Sequence, residues 1–182
     1  KDNLEFQRLE KQFNEKKQWV DGVPKLKTLS QIFKERGGYK EIDLIKGSEM
    51  IGWEYEGPYD NFEAQKEFGG YPHVNDDLKE KRINSAENHR VIDPGKDAIG
   101  NDIVVAGEGT GIVHMAPGCG DIDHSVGKNL GLINIAPLND ESRFIEKFGW
   151  LTGKLATDKE TTKEIINDLK ERNFLVLAED YP

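Results

Sequence analysis

GTGIVHMAPGCGDIDHSVGKNLGL, residues 109–132, gathers two histidines, the single cysteine, two aspartates and closely spaced glycines into two dozen positions. Its texture changes twice. TGIVHMAP, rich in Val and Ile, reads as a short strand that ends near His114. MAPGCG turns the chain without bulky side chains. GDIDHSVGKNLGL then opens on acidic residues and repeats Ile122, Val126 and Leu130 every four positions, which predicts a short helix beginning at Asp121 or Asp123. A strand end followed by a helix start directs side chains into one crevice, a common place for ligand contacts.

Outward from this unit the same alternation continues. HRVIDP and NDIVVAGEG precede it as two further Val- and Ile-rich runs bounded by Pro, Gly and Asp, while LINIAPL and FLVLAED follow as later strands. TDKETTKEIINDLKERN is the clearest helical pattern: Thr157 is placed as N-cap with Glu160 three residues on, and Ile165, Ile166 and Leu169 form its apolar stripe. Nearer the start, residues 2–17 space Leu4, Leu9 and Phe13 as an amphipathic helix, and Leu26, Leu29, Ile32 and Phe33 form another that Gly37 and Gly38 stop. Residues 39–59 read as short strands broken by glycine turns. Residues 60–89 are polar and punctuated, which suggests a surface insertion carrying one short helix. The sum is an α+β chain with a mixed, strongly curved or barrel-like sheet and peripheral helices.

At 182 residues the chain is long enough for one substantial domain, residues 1–182, with its own core. No apolar run approaches the roughly 18 residues needed to cross a bilayer, so no membrane role is expected. Acidic residues outnumber basic ones by 34 to 25, giving a net charge of −9, and the basic residues are scattered. A broad nucleic-acid surface is therefore not expected, since phosphate contacts supply most non-specific affinity. One cysteine excludes an internal disulfide framework and points to the cytosol.

Several chemistries compete for the central stretch. Gly107–Gly111 looks like a phosphate cradle but lacks both the G-x-G-x-x-G spacing and a P-loop lysine, and a tight turn between strands explains it as well. His114, Cys119, Asp123 and His124 include zinc-ligand types but not paired ligand spacing. Cys119 with a histidine base is a possible nucleophile, its thiol lowered by the helix start after it, though a lone cysteine is as readily a packing residue. A pocket for a small polar group fits the arrangement better. In it, Asp123 suits a substrate ammonium, His114 bounds the volume, and glycine N–H groups face an oxygen that gains negative charge. Helix capping by Asp123 and a satisfied core His114 remain the plainer readings. His73, His89 and His124 are assigned to surface or structural roles.

The stretch closely resembles the pattern G-T-G-x-V-H-x-A-P-x-x-G-x-x-D-x-x-x-G-x-x-x-G-L of the editing (CP1) domain of isoleucyl-tRNA synthetases, with IKGSEMIGWEYEGPYDNF, HRVIDPGKDAIGNDIV, FGWLTGK and IINDLKERNFLVLAEDYP as supporting segments over residues 40–182. Valyl and leucyl relatives share the GTG and the Asp, but His114 favours the isoleucyl branch. The resemblance implies a closed β-barrel with peripheral helices. It also implies hydrolysis of valine mis-attached to tRNA(Ile), because one methylene discriminates by only about 1–3 kcal/mol; the isoleucyl enzyme is itself the standard worked example of that limit. It places the α-ammonium on Asp123 and one wall of the amino-acid pocket on His114, which together are the expected catalytic pair. The substrate-binding set it implies is Gly109, Thr110, Gly111, His114, Ala116, Pro117 and Asp123. Water attacks without a covalent intermediate, and no cofactor or metal serves this domain; ATP and Mg belong to the parent enzyme's synthetic domain. The implied partners are the 3′ CCA end of tRNA(Ile) carrying valine and the rest of a parent synthetase in the cytoplasm. The family's threonine-rich W-T-T-T-P-W-T strand does not occur here: Trp19, Trp53 and Trp150 stand outside any such segment, and HIGH and KMSKS motifs do not occur either. A fragment of a larger synthetase with one pocket wall missing is expected. The alternatives are a stand-alone trans-editing or small-molecule-binding module on the same barrel, or a Cys119-dependent hydrolase.

Overall fold

The computed structural model describes residues 29–97, 99–104 and 112–178. The helix expected at 2–17 lies outside them. Six helices occur among the described residues: α1 (Leu29–Glu35), α2 (Gly47–Met50), α3 (Glu63–Lys66), α4 (Asp76–Glu80), α5 (Asp121–Leu130) and α6 (Lys159–Glu171), with a 3₁₀ turn at Gly149–Leu151. Helix α1 stops where glycine requires it. Gly37 and Gly38 take φ of +109° and +90°, and the Gly38 amide donates to the Phe33 carbonyl at 2.8 Å.

Among the described residues the runs expected as strands form no continuous strand, and the 39–59 region carries α2; partners meet one residue pair at a time. Isolated bridges join Glu54 to Arg90, Lys96 to Asp102, Leu138 to Phe144 and Arg143 to Leu155 in antiparallel sense, and Tyr71 to Ile135 in parallel sense. Residues 112–116 and 174–178 form neither helix nor bridge. The parallel bridge is central. Tyr71 donates its amide to Asn134 O at 3.0 Å and accepts from Ala136 N at 2.9 Å, so residues 134–136 are clamped along one edge by a segment far earlier in the chain.

The core is aromatic. Phe62, Ala64, Phe148 and Leu151 are buried together, with Tyr59, Tyr71, Ile135, Phe144, Ile145 and Ile165 packed around them. Phe62 meets Phe148 edge-on at 6.5 Å and 81°, and stacks on Tyr59 at 5.1 Å and 16°. The 60–89 segment was expected as a surface insertion with one helix. It instead carries two short helices, α3 and α4, and supplies two of the four core residues, because Phe62 and Ala64 turn inward on either side of Glu63.

Helix α6 follows its predicted pattern with one correction. Its N-cap is Asp158, whose carboxylate accepts from Glu160 N, and not Thr157. Asp is a stronger cap than Thr, and the shift moves Glu160 to the second helical position, out of reach of a capping box. Ile165, Ile166 and Leu169 are half-buried, and the fully buried residue of this helix is Thr161. Beyond its C-terminus Arg172 donates to the Pro58 carbonyl and to Asp168 Oδ2, the latter at 3.1 Å, and lies over the Tyr59 and Phe174 rings. The Tyr59 hydroxyl is buried without a partner at hydrogen-bonding geometry. Burial first, and the Asp168 carboxylate second, push its pKa up to about 12.

Candidate functional site

Helix α5 starts at Asp121, as its acidic opening predicts, with Gly120 as N-cap and Asp121 and Asp123 in the first turn. Gly131, in the left-handed conformation, ends it, and Leu132 N donates back to Gly127 O at 2.8 Å. The expected apolar stripe is only partly covered: Val126 is buried, whereas Ile122 and Leu130 are 54% and 46% exposed.

The turn at 115–120 is shaped by what lies above and below it. Cys119 N donates to Ala116 O at 2.9 Å, closing the turn. Beneath it, a side chain on Gly118 would overlap the Ile135 carbonyl and stand 2.8 Å from Ala136 N, so Gly118 lies directly on the 135–136 backbone. Above, a side chain on Gly127 would stand 2.7 Å from Pro117 Cβ, so the proline ring rests on the bare helix surface there. Two of the motif's glycines thus exist to allow close approach, one to a peptide unit and one to a ring.

From the first turn of α5 two side chains reach back to this turn. Asp123, half-buried, accepts from Ala116 N through Oδ2 at 2.9 Å. Its other oxygen has no hydrogen-bond partner among the described residues. His124 places Nδ1 3.2 Å from Pro117 O. Among the expected site residues, the structure therefore brings together Ala116, Pro117 and Asp123. His114 is exposed two residues before Ala116 and makes no hydrogen bond to a described residue. Gly109, Thr110 and Gly111, with the glycine-rich 107–111 turn, lie outside the described residues.

Two of the competing chemistries can be weighed directly. Among the described residues no group of three or more His, Cys, Asp or Glu side chains is disposed to hold a metal ion, and His114, Cys119, Asp123 and His124 are all described. The Cys119 thiol was expected to be lowered by the helix start. Desolvation, and after it the charge of Asp123, push it up instead, although the residue as a whole is exposed. A thiol so placed is a poor nucleophile at neutral pH. The expected results are slow alkylation by iodoacetamide at pH 7, accelerating as pH rises beyond the ordinary thiol range, and an unaltered activity for Cys119→Ser; rapid alkylation at pH 7 would contradict this.

His89 has a structural role, as expected: Nε2 pairs with Asp60 Oδ1 at 2.7 Å and the ring stacks on Tyr55. His73 is exposed. A cleft of about 350 Å³ opens beside this pair, lined by Glu56, Pro58, Asp60 and Arg172 among others, and none of its lining residues belongs to the 109–132 stretch.

The chain is 33% identical over 141 residues to the isoleucine–tRNA ligase of Sulfolobus acidocaldarius, which covers 77% of this chain and 11% of that protein. It is 36% identical over 138 residues to the isoleucine–tRNA ligase of Saccharolobus solfataricus, covering 75% of this chain and 12% of that one. It is 31% identical over 181 residues to that of Methanocaldococcus jannaschii, covering 97% of this chain and 15% of that one. This chain thus spans 11–15% of the length of these relatives and is related over most of its own length to part of them. No family model matches it, and no solved structure matches it.

Proposed function

We propose that this chain, related over most of its length to isoleucine–tRNA ligases, is an editing domain that hydrolyses the ester joining valine to tRNA(Ile). The observation that carries the proposal is the divided use of Asp123. One carboxylate oxygen fixes the turn by accepting from Ala116 N at 2.9 Å, and the other, which has no hydrogen-bond partner among the described residues, is the one we assign to the substrate cation. A rigidly held acidic oxygen beside a glycine-bearing turn is what recognition of an α-ammonium requires, since a mobile carboxylate would lose affinity to the entropy of ordering it.

On this reading His114 bounds the amino-acid pocket, Ala116 and Pro117 line it, and Gly109, Thr110 and Gly111 complete it. The attacking group is water, oriented by the pocket and the terminal ribose hydroxyls, so neither a covalent enzyme intermediate nor a metal is called upon. The substrate is the CCA terminus of the tRNA with its amino acid, and the tRNA body is held by other parts of a longer synthetase. The fold proposed is the family's closed barrel, built from the Val- and Ile-rich runs of the sequence together with the threonine-rich strand that this sequence does not carry.

The test is an NMR titration of the chain with a non-hydrolysable valyl-adenosine analogue, with Asp123→Ala as control. Amide shifts centred on residues 112–124 in the wild type, and lost in the variant, are expected. Equal shifts in both proteins, or none in either even when a threonine-rich segment is supplied, would remove the proposal.

A further inference from the structure

We infer that His124 is a positioning residue for this editing site, an inference that rests on the reading of Asp123 just given. Asp123 and His124 are consecutive on the first turn of α5, and they grip consecutive residues of the turn: Asp123 takes the amide of Ala116, and His124 meets the carbonyl of Pro117. Proline has no N–H, so its carbonyl is the one backbone polar group that Pro117 offers. A carbonyl only accepts. Nδ1 of His124 therefore carries the hydrogen, which fixes the neutral ring in its Nδ1–H tautomer and leaves Nε2 toward solvent on an exposed side chain.

The consequence reaches the ammonium subsite through the backbone. The Pro117 ring is seated on Gly127, Gly118 is seated on Ile135 and Cys119 N closes the turn on Ala116 O; the His124 contact adds a restraint at the Pro117 carbonyl, next to the Ala116 amide that holds Asp123. Releasing Pro117 O loosens the 117–118 peptide unit inside the turn that Cys119 N closes on Ala116 O, and the Ala116 amide that orients Asp123 shifts with that turn. The inference concerns geometry alone: His124 does not touch the substrate and moves no proton.

Asparagine and glutamine variants separate this role from others, because the Asn amide nitrogen stands where Nδ1 does and the Gln amide nitrogen stands where Nε2 does. In the wild-type chain the imidazole ¹⁵N spectrum is expected to show His124 as the Nδ1–H tautomer. Binding of the valyl-adenosine analogue is expected to weaken about fivefold to tenfold in His124→Ala and His124→Gln, the effect of one hydrogen bond. His124→Asn is expected to bind within about twofold of wild type, since it restores that bond. Wild-type binding in all three variants, rescue by Gln and not Asn, or an Nε2–H tautomer each overturns the inference. A wild-type chain that does not bind the analogue, or an Asp123→Ala variant that binds it normally, overturns the reading of the site itself, and this inference falls with it. The tautomer measurement needs no variant, so a substitution that unfolds the chain does not shelter the inference.

Discussion

On the proposed editing function, replacing Asp123 by alanine is expected to lower deacylation of valyl-tRNA(Ile), in whatever form of the protein shows that activity, by about 10- to 150-fold, the range set by a hydrogen bond to a charged group of about 1.5–3 kcal/mol. Two losses are combined in that figure. The proposed substrate ammonium would lose its counter-charge, and Ala116 N loses the acceptor that stands 2.9 Å away in the native turn. Asparagine separates them, since its amide oxygen can still accept from Ala116 N but carries no charge. Asp123→Asn is therefore expected to keep most of the thermal stability of the parent, giving up only the helix-terminal charge, while losing most of the activity. Asp123→Ala loses both, with a fall in Tm of about 3–8 °C from a lost hydrogen bond and a lost helix-terminal charge. Kinetics and thermal denaturation of the two variants check this. An alanine variant that deacylates at the parent rate would show that Asp123 only fixes the turn and the start of α5.

Gly118→Ala is expected to be the most destabilising single methyl in the described region. The added carbon has no empty volume to occupy: it overlaps the Ile135 carbonyl and crowds Ala136 N at 2.8 Å, and both are backbone atoms that no rotamer change can move aside. Overpacking against side chains costs about 1–3 kcal/mol, and a backbone obstruction lies at or above the top of that range. For a chain of this size a loss of about 3 kcal/mol is a fall of roughly 6–12 °C in Tm. Gly131→Ala is the internal comparison. Its Cβ would meet nothing within 4 Å, and only its φ of +61° opposes the change. Calorimetry that ranks Gly131→Ala as the more damaging would contradict the close stacking of the turn on residues 135–136.

The local structure around Asp123 was legible because its signals are local. The acidic opening of α5, its glycine stop at Gly131 and the small residues of MAPGCG each act within a few positions of where they are read, and the helix begins at Asp121 and ends at Gly131 accordingly. The partner of each element was not legible. Nothing around Gly118 announces Ile135, and nothing around Pro117 announces Gly127, since close approach is a property of two surfaces and a sequence shows one at a time. The core was hidden for the same reason. Phe62 and Ala64 sit in a polar, unperiodic stretch, and their burial is decided by Phe148 and Leu151, more than eighty positions away. At Thr157 the failure was of another kind: two capping residues stand side by side, and the stronger acceptor, Asp158, prevails.

The parallel contact between Tyr71 and Ile135 also orders events in time. A chain emerging from the ribosome is delivered from its N-terminus. When Asp123 first becomes free, the 134–136 segment on which Gly118 rests has not yet appeared, and it must then reach back across the whole interval to Tyr71 at the entropic cost of closing a long loop. The 112–124 turn is therefore assembled from neighbours yet matures only after its own synthesis is complete. A nascent chain paused between Asp123 and Ala136 holds every side chain of the proposed pocket without the floor that would set them in register.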